Sequence, residues 1–93
     1  MKKESFKSFL MTSNQSQNID TLIAASERLE SSYEIDLDEI VSTETKAQKL
    51  RISVYFDHEL TPLDRKLYPD VIKSYFQFIH NATLPPLNFK TKV

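Results

Sequence analysis

The chain has 93 residues, 40% of them hydrophobic, which fits one domain with a single hydrophobic core. It contains neither cysteine nor glycine, so disulfides, thiolate catalysis, cysteine-ligated zinc and glycine-rich phosphate-binding loops are excluded. Its 12 Lys and Arg residues against 13 Asp and Glu residues give a net charge of −1, which is not the strongly basic balance of a stand-alone nucleic-acid-binding domain.

The start of the chain has helical periodicity. Phe6, Phe9 and Leu10 have the i, i+3, i+4 spacing of one helical face, and they predict a first helix over residues 4–11. After a polar break, a second helix is predicted over residues 17–31, with one face marked by Ile19, Leu22, Ile23, Ser26 and Leu29.

Residues 35–41 allow two interpretations. Their apolar and acidic side chains alternate, as in a strand. The adjacent Asp38 and Glu39 instead favour the first turn of a short helix capped by Asp36, because acidic side chains complement the helix dipole there. The short helix is the favoured prediction.

A fourth helix is predicted over residues 44–56. Alanine, leucine and valine residues form its core stripe, while Ile52, Tyr55 and Phe56 lie on a second side. This arrangement predicts a helix that is buried on two sides. Because its second half is rich in β-branched and aromatic residues, a strand remains the alternative there.

The C-terminal third contains a helix start, with Thr61 as the N-cap and Pro62 at the first helical position. This helix is predicted to be short, because Pro69 disfavours helical geometry at the residue before it. Pro69 then opens a final amphipathic helix that ends near Asn81. Residues 82–93 are predicted to be extended.

These elements predict a compact all-α bundle of four to five helices over residues 1–81, followed by an extended tail or linker over residues 82–93. A small secreted domain usually needs disulfides, so the absence of cysteine favours the cytoplasm. No apolar run approaches the ~20 residues of a membrane span, so no membrane partner is expected. No cofactor and no small-molecule substrate are expected. An alternative is that the chain is the front of a longer enzyme, with the tail as its linker.

Four segments, in their order along the chain, carry a resemblance to a known family: FKSFL, SQNIDTLIAASERLE, YEIDLDEIVS and PDVIKSYFQFIHN. Together they resemble the core-binding, or SAM-like, N-terminal domain of phage integrases and other tyrosine recombinases, and a similar block at the front of some restriction-type and mobile-element proteins. The resemblance covers residues 4–81. The positions that match the family's helix patterns are Ser16, Ile19, Ala25, Leu29, Ile72, Lys73, Tyr75, Phe76, Phe78 and Ile79.

This resemblance implies a SAM-like orthogonal bundle that clamps one side of duplex DNA. In the family, Lys, Arg and small polar residues on the second and later helices contact the DNA, and a separate catalytic domain performs the chemistry. The sequence has no counterpart of that catalytic domain. The resemblance therefore implies a non-catalytic DNA-binding or DNA-complex accessory module of a phage, mobile element or defence system.

The candidate DNA-binding residues are cations in the second half of the chain. Lys46 and Lys49 share a helical face at i, i+3 spacing, and each phosphate that they neutralise would steepen the salt dependence of binding. Binding to duplex DNA predicts one continuous basic face that includes Lys73. The alternative is an ordinary solvated face. The full candidate set is Lys46, Lys49, Arg51, Arg65, Lys66 and Lys73.

The rival hypothesis is a protein-interaction module, such as a small inhibitor, an assembly factor or a homodimer. Acidic residues between positions 27 and 44 could pair with a basic partner, and an aromatic C-terminal surface could dock on an apolar one. Phe78 lies off the apolar stripe of the final helix and is predicted to pack under the tail or into a partner. The candidate partner surface consists of Phe78, Leu87 and Phe89.

No catalytic or metal-binding set is predicted. Asp57, His58 and Glu59 carry metal-capable side chains, but three consecutive residues cannot all point at one ion from a helix. No serine, histidine and aspartate residues have a spacing that indicates a catalytic triad. The chain is therefore expected to act by binding.

Overall fold

The computed structural model describes residues 1–12 and 19–85, and the chain forms five α-helices there. The helices are α1 (Lys3–Thr12), α2 (Ile19–Tyr33), α3 (Leu37–Ile40), α4 (Glu44–Tyr55) and α5 (Pro62–His80). No strand occurs within the described ranges, so the prediction of a compact all-α bundle of four to five helices is confirmed. The predicted start of the second helix at residue 17 lies outside the described residues. None of the five helices is both long enough and apolar enough to cross a membrane.

Side-chain caps set the starts of three helices. The side chains of Asp36, Thr43 and Thr61 each accept a backbone N–H from the first turn of α3, α4 and α5 respectively. These N–H groups have no partner within the helix, so a cap at that position stabilises the start of the helix. The short helix capped by Asp36 is therefore confirmed, and the strand alternatives for residues 35–41 and for the end of α4 are wrong.

Helix α5 runs unbroken from Pro62 to His80, so the predicted break at Pro69 is wrong. Pro69 cannot donate an N–H to the carbonyl of Arg65, and its ring crowds that carbonyl, at a local cost of about 3 kcal/mol. The helix continues because core packing on both sides of the proline outweighs this local cost. The buried residues nearest to it are Leu67, Tyr68, Val71 and Ile72.

Two helices end at a residue in the left-handed conformation, in a chain that has no glycine for that role. Glu34 follows α2 with φ of 53°, and Asn81 follows α5 with φ of 52°. Asparagine tolerates this region well, which explains why α5 ends near Asn81 as predicted. After α2, the N–H of Ile35 donates to the carbonyl of Glu30, a bond typical of this type of helix end.

Helix α5 lies at the centre of the bundle and packs against the other four helices. The core also includes a residue beyond α5, because Leu84 is only 2% exposed. The carbonyl of the next residue, Pro85, accepts hydrogen bonds from Gln48 and Arg51 on α4. Packing on the domain therefore continues past position 81, into residues that the sequence assigns to an extended tail or linker. Residues 86–93 lie outside the described part of the chain.

Candidate functional site

The cations that the sequence predicts as DNA contacts lie on two different flanks of α4. Lys46 and Lys49 line a groove of about 410 Å³ between α3 and α4, here called the lysine groove. Arg51 and Arg65 line a groove of about 530 Å³ between α4 and α5, here called the arginine groove. Because Lys49 and Arg51 are two residues apart on one helix, their side chains leave it about 200° apart.

The lysine groove combines an apolar floor with mixed charge. Ile35, Ile40 and Leu50 provide its apolar lining. The carboxylate of Glu39 lines the same groove as the two lysine side chains, so its net charge is smaller than the lysines alone would give. An acidic side chain therefore interrupts the basic surface on this flank.

The remaining two lysines lie on the side of the arginine groove. Lys66, Pro69 and Lys73 have the i, i+3, i+7 spacing of one helical stripe on α5, and Pro69 lines the arginine groove. Both lysines are exposed. Lys66 and Lys73 thus lie on the same stripe of α5 as Pro69, whereas Lys46 and Lys49 line the groove on the other flank of α4.

Arg65 closes the C-terminal end of α4. Its Nη2 donates to the carbonyl of Asp57 at 2.8 Å, and its Nη1 donates to the carbonyl of Tyr55 at 3.4 Å. Carbonyls at a helix C-terminus have no partner within the helix, so a cation there satisfies them and complements the dipole. Arg65 therefore has a structural role as well as a place in the groove.

The guanidinium of Arg51 has hydrogen-bond partners for only some of its donors. Its Nη1 donates to the carbonyl of Pro85 at 2.8 Å and to the side chain of Gln48 at 3.1 Å. Its Nε is buried and has no hydrogen-bond partner among the described residues. Burial lowers the pKa of the Arg51 guanidinium, because it disfavours the charged form. The charge of this guanidinium favours a nearby anion, but its buried Nε is not accessible to a ligand.

An exposed apolar strip, here called the outer strip, lies at the C-terminal end of α4 between the two grooves, and its Tyr55 also lines the arginine groove. It consists of Ile52, Tyr55 and Phe56, which are 38%, 59% and 57% exposed. The two aromatic rings lie edge to face, with centroids 5.1 Å apart. Leu63, at the start of α5, is also exposed. The second side of α4 is therefore not buried within the described chain, so that prediction is wrong.

Ile52 and Phe56 of the outer strip are not among the sequence-predicted sites, although the sequence contains a signal for them. Ile52 and Phe56 are spaced at i, i+4 and lie outside the core stripe of Ala47, Leu50 and Val54. A helix whose core stripe is complete needs no second apolar side for its own packing. The sequence does not show whether another helix covers that side.

Phe78 packs against α1, and the prediction that it packs under the tail or into a partner stays a prediction, because residues 86–93 lie outside the described part of the chain. Its ring centroid lies 5.6 Å from that of Phe6 and 5.5 Å from that of Phe9. Helix α1 therefore covers the side of α5 that carries Phe78, next to the main apolar stripe of α5. The other two candidates for a partner surface, Leu87 and Phe89, lie outside the described residues.

The acidic residues between positions 27 and 44 are partly used inside the fold. Glu30, Asp36 and Asp38 surround the α-ammonium group of Met1, and Glu27 pairs with Lys3 at 3.0 Å. In the same region Arg28, the one cation of α2, pairs with Asp64 of α5 at 2.6 Å. These contacts join helices of the bundle. They leave fewer carboxylates in this region available to pair with a basic partner.

Asp57 orders the loop between α4 and α5. Its carboxylate accepts hydrogen bonds from the Tyr33 hydroxyl at 2.7 Å and from the N–H of Glu59 at 2.9 Å. These bonds lower the pKa of Asp57, whereas burial and the neighbouring carboxylate raise the pKa of Tyr33. Within the two described ranges, no three His, Asp or Glu side chains are grouped so that they could hold a metal ion.

Comparison with known proteins gives no relative from which to assign a function. No model of a protein family matches the chain, and neither a curated protein nor a solved structure matches it. The resemblance to recombinase core-binding domains therefore stays a prediction, and the function has to be inferred from the surface of α4 and its surroundings.

Proposed function

We propose that this chain is a non-catalytic binding module that docks an acidic, amphipathic segment of a partner protein on the outer face of α4. The observation that supports this most directly is the outer strip, an exposed apolar surface on α4 with cations on both of its flanks. The proposal places the apolar residues of the partner on the strip and its acidic residues over the two grooves.

The apolar part of the surface provides affinity. Covering Tyr55 and Phe56 would remove apolar area from water, at about 25 cal/mol per Å² of area buried. Tyrosine and arginine are also the residue types that dominate the binding energy of protein interfaces, and Arg51 and Arg65 adjoin the strip. Exposed apolar surface of this kind marks interaction sites on small soluble proteins.

The charges on the two flanks indicate the charge of the partner. Lys46 and Lys49 lie on one flank of the strip, and Arg51 and Arg65 lie on the other. An acidic partner is attracted to both flanks, which speeds encounter. A basic partner, or a second copy presenting the same face, would meet repulsion on both flanks.

A site-specific crosslink tests the proposal. A photoreactive residue at position 56 is expected to capture a partner in cells that express the chain naturally, and one at position 11, which is equally apolar and exposed but lies on α1, is not. With the captured partner purified, Phe56→Glu and Ile52→Glu are each expected to weaken binding by roughly thirtyfold or more, because an interface hot spot carries about 2 kcal/mol or more.

The matched control is Met11→Glu, which adds the same charge far from the strip and should leave the Kd unchanged. All three variants should unfold at the urea concentration of the parent chain, since the altered residues are exposed. Equal capture from positions 11 and 56, or a parental Kd for Phe56→Glu, would show that the strip is not the docking surface.

We also propose, as a second candidate, that the module binds duplex DNA; its support is that Arg51 and Arg65 line the arginine groove and that the exposed Lys66 and Lys73 share a helical stripe with Pro69, which lines the same groove. We expect fluorescence anisotropy with random duplex DNA to show binding that weakens between roughly 50 and 200 mM salt. Charge reversal at both Lys66 and Lys73 should reduce the slope of log K against log salt by about 2.

The matched control for the DNA experiment is the double charge reversal at Lys46 and Lys49, on the opposite flank of α4. If this pair changes the slope as much as the pair on α5, the DNA does not sit at the arginine groove. No binding at the lower salt concentration would exclude duplex DNA for this chain and leave the protein partner as the proposed ligand.

A further inference from the structure

The lysine groove has an apolar lining that docking at the outer strip does not use. Leu50, which is 6% exposed, and the half-buried Ile35 and Ile40 form this lining. The groove has a volume of about 410 Å³, and small-molecule sites typically enclose about 300–1,000 Å³. It is therefore large enough for the aliphatic chain of a small ligand.

The charged side chains that line the groove are not paired with one another. Lys46 and Lys49 lie one turn apart on α4, and Glu39 lies on α3; all three are exposed. Among the described residues no ion pair includes any of the three, whereas Lys3 and Lys7 on α1 each pair with a carboxylate. Two ammonium groups and one carboxylate give the groove a net charge of +1, which is available to a ligand.

The lining and the charge together define the class of ligand. A carboxylate accepts charge-assisted hydrogen bonds from lysine ammonium groups, and an aliphatic chain removes apolar surface from water. A second negative charge on the ligand would be repelled by Glu39 and would have to lie on apolar surface. The groove therefore favours one negative charge attached to an apolar body.

We propose that the lysine groove binds a small aliphatic monocarboxylate, such as a short- or medium-chain fatty acid, with its carboxylate at Lys46 and Lys49 and its chain on the apolar lining. This site goes beyond the docking proposed for the outer strip and does not depend on it. Because the lining comes from both α3 and α4, a bound acid also holds these two helices together and stabilises the folded chain.

The test is a titration of the chain with sodium octanoate, followed through the amide NMR signals of α3 and α4. The expected Kd is about 1 mM or lower, since a ligand of this size supports roughly that affinity. Affinity should rise about threefold to fourfold for each CH₂ added between butanoate and octanoate. Octanol, which lacks the charge, and suberate, which has a second carboxylate, should each bind at least about tenfold more weakly than octanoate.

Charge variants identify the site. Lys46→Gln/Lys49→Gln should weaken octanoate binding at least about tenfold and leave octanol binding unchanged. Glu39→Gln should strengthen octanoate binding about threefold and reduce the discrimination against suberate, because it removes the repelling charge. The altered residues are exposed, so these chains should unfold at the urea concentration of the parent. The matched control is Lys7→Gln, which removes a half-exposed lysine on α1 and should leave the Kd unchanged.

Equal affinities for butanoate and octanoate, or for octanol and octanoate, would overturn the proposal. A parental Kd in the Lys46→Gln/Lys49→Gln chain would also overturn it. N-acetyl-leucine tests the other source of the same chemistry, the apolar C-terminal residue of a peptide, and binding about tenfold tighter than hexanoate would overturn the assignment to a free fatty acid. Because the titration uses the chain alone, its failure leaves the docking at the outer strip untouched, and a failed crosslink at position 56 leaves the titration untouched.

Discussion

Replacing Phe6 by alanine is expected to lower the free energy of unfolding by about 3–5 kcal/mol, because this ring is the main apolar anchor of α1. Its side chain is completely buried. The ring centroid lies 4.8 Å from that of Tyr75 in an edge-to-face contact and 5.6 Å from that of Phe78. Alanine would remove both aromatic contacts and leave a cavity between α1 and α5.

This loss is a large fraction of the total stability expected for a domain of this length. Total stability of a small domain is about 5–15 kcal/mol, so the variant should be close to unfolding at moderate temperature. Urea denaturation followed by circular dichroism gives the measurement. Met11→Ala, on the exposed side of the same helix, should change stability by less than about 0.5 kcal/mol. A loss of less than about 1 kcal/mol for Phe6→Ala would mean that α1 is not docked as described.

The positions of the helices follow largely from local rules that the sequence displays. A cap at Asp36 or Thr61 and a left-handed end at Asn81 depend on residues within one turn of each other, so short-range reasoning finds them. Pro69 is the exception, and the reason is tertiary. Whether a proline ends a helix depends on how much apolar surface the chain can bury on its far side, and that quantity is set by the other helices.

The candidate site could be predicted only in part. The type of each cation is visible in the sequence, and helix geometry alone puts Lys49 and Arg51 on different sides of α4, but which helices form a groove with each side depends on tertiary packing. The same holds for Phe56, whose exposure results from the direction in which the α4 core stripe faces. The contacts of Met1 with Glu30 and Asp36 join residues about 30 positions apart, and no periodic pattern connects such distant groups.

The segment after α5 links the stability of the fold to the binding surface. Leu84 inserts into the core, and the carbonyl of Pro85 accepts hydrogen bonds from Gln48 at 2.7 Å and from Arg51 at 2.8 Å. One residue thus fixes the segment by apolar burial, and the next orients a guanidinium that lines the arginine groove. Loss of the Leu84 packing should therefore also disturb the hydrogen bond between Arg51 and the Pro85 carbonyl.

Leu84→Ala is expected to lower the free energy of unfolding by about 2–4 kcal/mol, because it empties a fully packed position. Thr83→Ala, at the exposed neighbouring residue, should cost less than about 0.5 kcal/mol and serves as the control. Both values come from urea denaturation. If Leu84→Ala unfolds at the urea concentration of the parent chain, the segment after α5 does not belong to the core.

The same variant is expected to weaken ligand binding at the arginine groove under conditions where it is still folded. Without the anchor at Leu84, the carbonyl of Pro85 no longer holds Arg51 in one orientation, and ordering this side chain on binding then costs about 0.5–1.5 kcal/mol. Arg51→Lys separates the two effects, since it keeps the charge and the core but removes the fork of donors. A Leu84→Ala chain that binds with the parental Kd would show that Arg51 is positioned by α4 alone.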